Sequence, residues 1–190
     1  MPTYAPALVA CAYLLGSVPF GLVISLVFAR RDVRQVGSGN IGATNVTRAA
    51  GRWAGLATLL LDVAKGVLPT AIALQWFGLQ WAVLAGGAAF LGHCFPIYLG
   101  FRGGKGVATG FGVFAVLAPW AALVAFCTYL IVWKLTHVSA AGSLSSLATA
   151  AVMIGWRSPP AVIALFGVVA ALILVRHRKN LAQLVRSSAE

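Results

Sequence analysis

Long apolar runs alternate along this chain with short polar stretches rich in glycine and arginine. A helix needs ~20 mainly apolar residues to cross the hydrocarbon of a bilayer, and most of the runs approach that length. The pattern predicts helices over residues 6–29, 53–77, 81–99, 103–118, 119–135, 138–155 and 159–175. The stretch 107–133 admits two readings. As one helix it would be roughly 40 Å long, too long for a core of ~30 Å without strong tilt. A turn at Ala118-Pro119 divides it into two shorter spans. Gly16, Pro19 and Gly21 interrupt the first run, and Gly66 and Pro69 mark a kink in the second. The run 138–155 is full of small residues, with Gly142 and Ser146 four apart, and reads as a helix-packing face.

Charge settles the count of spans. With seven, the loops on one side hold Arg30, Arg31, Arg34, Arg48, Arg52, Arg102, Lys105, Lys134, Arg176, Arg178, Lys179 and Arg186. Arg157 alone falls on the other side, and Lys65 lies within a span. With six spans the basic tail would lie outside, so the positive-inside rule favours seven, N-terminus outside and C-terminus cytoplasmic. No basic residue precedes the first run, whereas Arg30 and Arg31 follow it. That polarity predicts a retained span rather than a cleaved signal peptide. The fold class expected is an all-α membrane protein of seven transmembrane helices. It forms a single integral-membrane domain over 1–190, with a frayed end at 187–190.

Composition agrees, with 61% hydrophobic and 9% charged residues. A soluble domain carries about 25% charged residues, so lipid must be the solvent for much of this surface. Against fourteen Lys and Arg stand three acids, Asp32, Asp62 and Glu190, giving a net charge of +11. Such a balance asks for an anionic partner, namely lipid head groups, nucleic acid or a phosphorylated substrate. No soluble domain is available to present a basic face to nucleic acid, which excludes that class. Cys11, Cys94 and Cys127 are odd in number and lack metal-ligand spacing, so neither disulfides nor zinc are indicated, and no cofactor is expected.

Three polar segments fall on the inner side in this topology. The first, GSGNIGATNVTR at 37–48, has glycines at Gly37, Gly39 and Gly42 that allow tight turns and close approach of N–H groups to an anion. Ser38, Asn40, Thr44 and Asn45 add neutral polar groups, and Arg48 can grip a phosphate with two parallel bonds. The second, GHCFPIYLGFRGGKGVAT at 92–109, contains His93 and runs through Gly103, Gly104, Lys105 and Gly106 into an apolar helix carrying Thr109. A glycine–lysine loop at a helix N-terminus combines N–H donors, the positive dipole end and an ammonium. It lacks Walker spacing. The third, RHRKN at 176–180, places His177 and Asn180 three apart on one helical face. Each segment also has a plain reading: turn residues, a snorkelling lysine, a packed histidine, a basic membrane anchor. Asp62 and Lys65, at i and i+3 within a span, are expected to pair inside the bundle.

These stretches, with LDVAKG at 61–66 between the first two, closely resemble the signature motifs of the bacterial acyl-phosphate:glycerol-3-phosphate acyltransferase family, in order and over nearly the whole chain. The resemblance implies transfer of a fatty acyl group from acyl phosphate to the 1-hydroxyl of glycerol 3-phosphate, giving lysophosphatidic acid and inorganic phosphate. This is the first step of bacterial phospholipid synthesis, placed in the inner membrane, with neither acyl-CoA nor acyl carrier protein as direct donor. It also implies catalytic roles for Ser38, Arg48, Lys105, His177 and Asn180. The tail LAQLVR after the third motif departs from the isoleucine-rich form common in the family. The alternative is a transporter of phosphate or an organophosphate, which would show inverted repeats and a midplane site. No repeat is visible in the sequence.

Overall fold

The computed structural model describes residues 3–178 and 180. Lys179, Arg186 and the frayed end expected at 187–190 lie outside the described residues. All regular structure among the described residues is helical. The helices are α1 (Ala5–Ser17), α2 (Phe20–Ala29), α3 (Ala43–Ala50), α4 (Arg52–Phe77), α5 (Leu79–Cys94), α6 (Val107–Leu117), α7 (Pro119–Thr136), α8 (Ser139–Arg157) and α9 (Pro160–Arg176), with single 3₁₀ turns at Val33–Gln35 and Ile97–Leu99. Among the described residues five segments are long and apolar enough to cross a membrane: Ala5–Ala29, Arg52–Phe77, Leu79–Leu99, Pro119–Thr136 and Ser139–Arg157. Val107–Leu117 and Pro160–Arg176 are apolar but shorter.

Two compact units make up the chain, 1–117 and 118–190. In the first, α1 crosses α5, α4 packs on α5 and α6, and α2 and α3 close over the N-terminal half of α4. Small residues set the approach. A Cβ on Gly66 of α4 would overlap the Thr109 carbonyl of α6, and one on Gly112 of α6 would overlap the Val63 carbonyl of α4. The α1–α5 crossing is built likewise, with Gly16 against Ala89 and Gly92 against the Tyr13 carbonyl. In lipid, where apolar burial gives helices little reason to associate, such backbone contact is what packing rests on.

Polarity along α4 is inverted relative to a soluble helix. Thr58, Asp62, Lys65 and Thr70 are buried, while Leu56, Leu59, Leu60, Leu61, Leu68 and Ile72 are exposed. The threonine hydroxyls donate to the carbonyls of Ala54 and Gly66 in the preceding turn, so they need no water. The first apolar run breaks at Val18-Pro19 into α1 and α2. The Val18 carbonyl, freed from helical pairing, accepts the Lys65 ammonium at 3.0 Å.

In the second unit α7 packs on α8 and α8 on α9. Gly142 lies against Tyr129, whose hydroxyl is 3.1 Å from the Ser139 Oγ, and Thr149 donates to Thr128. The small-residue face of α8 is therefore a helix contact.

Candidate functional site

The first motif does not fold as a plain loop. Residues 37–42 form the loop, and α3 begins at Ala43, so Arg48 stands in the last turn of a short helix. Asn40 shapes the turn before that helix, its Oδ1 accepting the Gly42 N–H at 2.8 Å, an arrangement asparagine favours at turns. Val46 and Ala49 bury one side of α3, and Asn45 is buried beside them. Its Oδ1 accepts the Ser38 N–H, and its Nδ2 contacts the carbonyls of Val33, Val36 and Asn40 at 2.8–3.0 Å. Gly37 and Gly39 adopt positive φ of 54° and 69°, which a side chain would strain. The Arg48 side chain passes beside Gly37, with Cδ 3.7 Å from where a Cβ would stand. Ser38, Thr44 and Arg48 are exposed.

The second motif is held against the end of α5. Its last carbonyls have no intrahelical donors, and the N–H groups of Gly103 and Gly104 serve two of them, donating to Cys94 at 3.2 Å and His93 at 3.1 Å. A side chain at Gly104 would run into the His93 ring, and one at Gly106 into Phe90 and Cys94. The loop leads into α6, where Thr109 is fully buried and its Oγ1 finds no partner among the described residues.

Two differences from the sequence expectation follow. Glycine-loop N–H groups were expected to face a phosphate. Instead those of Ser38, Gly39, Gly42, Gly103 and Gly104 bond within the protein, because a loop without its own ladder must satisfy its donors locally. What the two loops offer outward is side chains, with Ser38, Arg48 and Lys105 foremost. Asn45, expected among the ligand-binding groups, has its carboxamide turned inward to shape the loop.

Arg48 and Lys105 share a field. Burial, and then the positive charge of Arg48, push the Lys105 ammonium below the ordinary lysine range. An anion bound beside two such cations would relieve their repulsion. At the edge of the same unit an open cleft of about 680 Å³ is lined by Asp32, Arg34, Gln35, Leu99, Gly100 and Arg102, none of them a predicted site residue. The Asp32 carboxylate there is bound by Arg34 through three side-chain hydrogen bonds of 2.6–3.1 Å, which lower its pKa.

Beneath the second loop, Lys65 and Asp62 pair at 2.9 Å, as expected of them. His93 is buried, and its Nδ1 lies 3.5 Å from the same Asp62 oxygen. Sequence reading found the pair and the histidine separately. Their junction needs α4 and α5 side by side.

In the second unit, His177 follows the last turn of α9 and is buried. Its Nδ1 is 2.9 Å from the Ile173 carbonyl. With Nδ1 donating there, a neutral imidazole carries its lone pair on Nε2. Asn180 is half-buried.

Against known proteins, the family profile described as glycerol-3-phosphate acyltransferase matches residues 6–187. A glycerol-3-phosphate acyltransferase of Anaeromyxobacter sp. (strain Fw109-5) is 51% identical over 189 residues, covering 94% of this chain and 92% of its own. One from Rhizobium meliloti (strain 1021) is 43% identical over 183 residues, covering 95% and 90%. Two solved structures are similar, both of PlsY (YgiH), an integral membrane glycerol 3-phosphate acyltransferase. Its glycerol 3-phosphate form has a TM-score of 0.92 at 40% identity, covering 96% of this chain and 92% of that one. Its lysophosphatidic acid form has a TM-score of 0.89 at 38% identity, with the same coverage.

Proposed function

The chain belongs to the glycerol-3-phosphate acyltransferase family, and from that premise we propose that it acylates the 1-hydroxyl of glycerol 3-phosphate using acyl phosphate as donor. The observation that carries the reading is the pair Arg48 and Lys105, two cations from separate motifs within each other's field and with Ser38 on the same loop system. Both substrates bear phosphate, and side-chain cations fixed before the reaction are worth more than mobile solvent. Family membership also favours group transfer over transport.

In this reading the glycerol hydroxyl attacks the acyl carbonyl carbon and forms a C–O bond. The bond between that carbon and the phosphate oxygen breaks, its electron pair leaving with inorganic phosphate, and the hydroxyl proton passes to the departing phosphate. Arg48 and Lys105 bind the phosphoryl oxygens and stabilise the charge that grows on them. Ser38 orients the same group. His177 and Asn180 keep the role the resemblance implies, holding glycerol 3-phosphate. The acyl donor is already activated, so positioning and charge stabilisation supply most of the acceleration.

The topology proposed with it has seven crossings over a single domain in the inner membrane, α6 and α9 being the short ones, with the N-terminus outside. The test uses purified protein, glycerol 3-phosphate and one donor at a time: acyl phosphate, acyl-CoA or acyl carrier protein. Lysophosphatidic acid and phosphate should appear in equal amounts with acyl phosphate alone. Equal turnover with either thioester donor would overturn the donor assignment.

A further inference from the structure

We propose that Lys65, Asp62 and His93 form a buried strut beneath the second motif loop and act as positioning residues for Lys105. This inference rests on the role given to Lys105 above. Each link is visible. The Val18 carbonyl, exposed by the break before α2, accepts the Lys65 ammonium at 3.0 Å. Lys65 also lies 5.6 Å from the centre of the Phe20 ring, within reach of a cation–π contact. Its Nζ is 2.9 Å from Asp62 Oδ1, and the same oxygen is 3.5 Å from His93 Nδ1. The far side of the His93 ring, at Nε2, fills the space where a Cβ on Gly104 would stand. The His93 carbonyl accepts the Gly104 N–H at 3.1 Å. His93 therefore meets the residue before Lys105 twice, once through its ring and once through its backbone.

Packing alone gives a poor account of this cluster. Lys65 and Asp62 are each 2% exposed, and taking two charges out of water offsets most of their attraction. An apolar pair of the same volume would hold α4 to its neighbours about as well. An ion pair adds direction: it fixes where the carboxylate sits, and the carboxylate faces one edge of the imidazole. With that ring held between Asp62 and Gly104, the loop cannot sink toward the bundle, and the ammonium one residue later is set in depth. A displacement of ~1 Å in such a group can lower a rate about 100-fold.

The experiment is a double-mutant cycle in detergent-purified protein, read as kcat and KM, with labelling of lysines by an amine reagent followed by mass spectrometry. H93A and D62N should each lower kcat by ~10- to 100-fold with little change in KM. In a K105A background either should add less than ~3-fold, because its effect runs through Lys105. In an R48A background the factors should multiply. The labelling rate of Lys105 should change in H93A and D62N while that of Lys134 stays constant. Asp62→Asn keeps the carboxylate's shape and is read the same way if His93→Ala fails to fold. Equal losses with and without Lys105, or an unchanged Lys105 labelling rate, would overturn the strut. A wild-type protein that makes no lysophosphatidic acid from acyl phosphate would instead sink the proposed function, and the labelling would still judge the strut.

Discussion

Asn45 is 2% exposed, and its carboxamide meets four backbone groups of the loop above it. Removing it strands buried carbonyls, at ~1–3 kcal/mol for the groups left unpaired. Asn45→Ala should therefore lower the melting temperature by several degrees and reduce kcat/KM through Arg48, which stands one turn further along α3. A melting curve unchanged from wild type would contradict this. Arg48→Ala and Lys105→Ala should each reduce kcat/KM by ~100- to 1000-fold, the usual scale for a preorganised group that stabilises developing charge. Steady-state kinetics with acyl phosphate check it. Lys105 also sets a pH dependence. Burial and Arg48 lower its pKa, so its charge is lost at a pH below the ordinary lysine range, and activity should fall on that alkaline limb. Lys105→Arg, which stays charged, should move the limb upward. The linked stability effect has the opposite sense: between the lowered native value and the ordinary one the unfolded chain binds more protons, so stability rises with pH there. At this scale the sequence supplied candidate residues. It could not tell an outward serine from an inward asparagine in the same motif, because that depends on which carbonyls the loop brings beneath it.

Apolar run length carried the helices well. The break at Val18-Pro19 and the divide at Ala118-Pro119 both lie where proline denies a helical N–H. The helix α3 was not foreseen. Eight residues with polar groups at Thr44, Asn45, Thr47 and Arg48 give no long periodic signal, and its existence rests on Val46 and Ala49 packing with Ile41, Leu22 and Ala54. The predicted span 103–118 was also too long at its start, since residues 103–106 are drawn to the end of α5 and the helix begins at Val107. The crossing of α4 and α6 makes a test at this scale. Gly66→Val adds a branched side chain whose Cβ alone would overlap the Thr109 carbonyl. Overpacking of this kind costs about 1–3 kcal/mol or more, and here the obstacle is backbone. The variant should lose its monodisperse peak in size-exclusion chromatography or melt well below wild type, whereas Gly155→Ala, with open space at its Cβ position, should behave as wild type.

For the whole molecule, charge is the organising quantity. The proposed topology of seven crossings would put Arg31 and Arg102 on the cytoplasmic face and Arg157 on the other. Single cysteines introduced at these positions in a chain lacking its own three should label accordingly. A membrane-impermeant maleimide should reach the Arg157→Cys protein in intact cells, and the Arg31→Cys and Arg102→Cys proteins only in inverted vesicles. Labelling of Arg102→Cys from outside would refute the topology.

Apolar run length, the scarcity of acids and three separated motifs were enough to determine a helical membrane protein and its family, because lipid admits few backbone solutions. Folding in three dimensions decided the rest: that the N–H groups of Gly39, Gly42, Gly103 and Gly104 bond within the protein, that Arg48 and Lys105 feel each other, and that a histidine at the end of one helix stands on an ion pair in another. Those facts depend on which backbones cross and how closely, and glycine at the crossing fixes that distance only once its neighbour is in place.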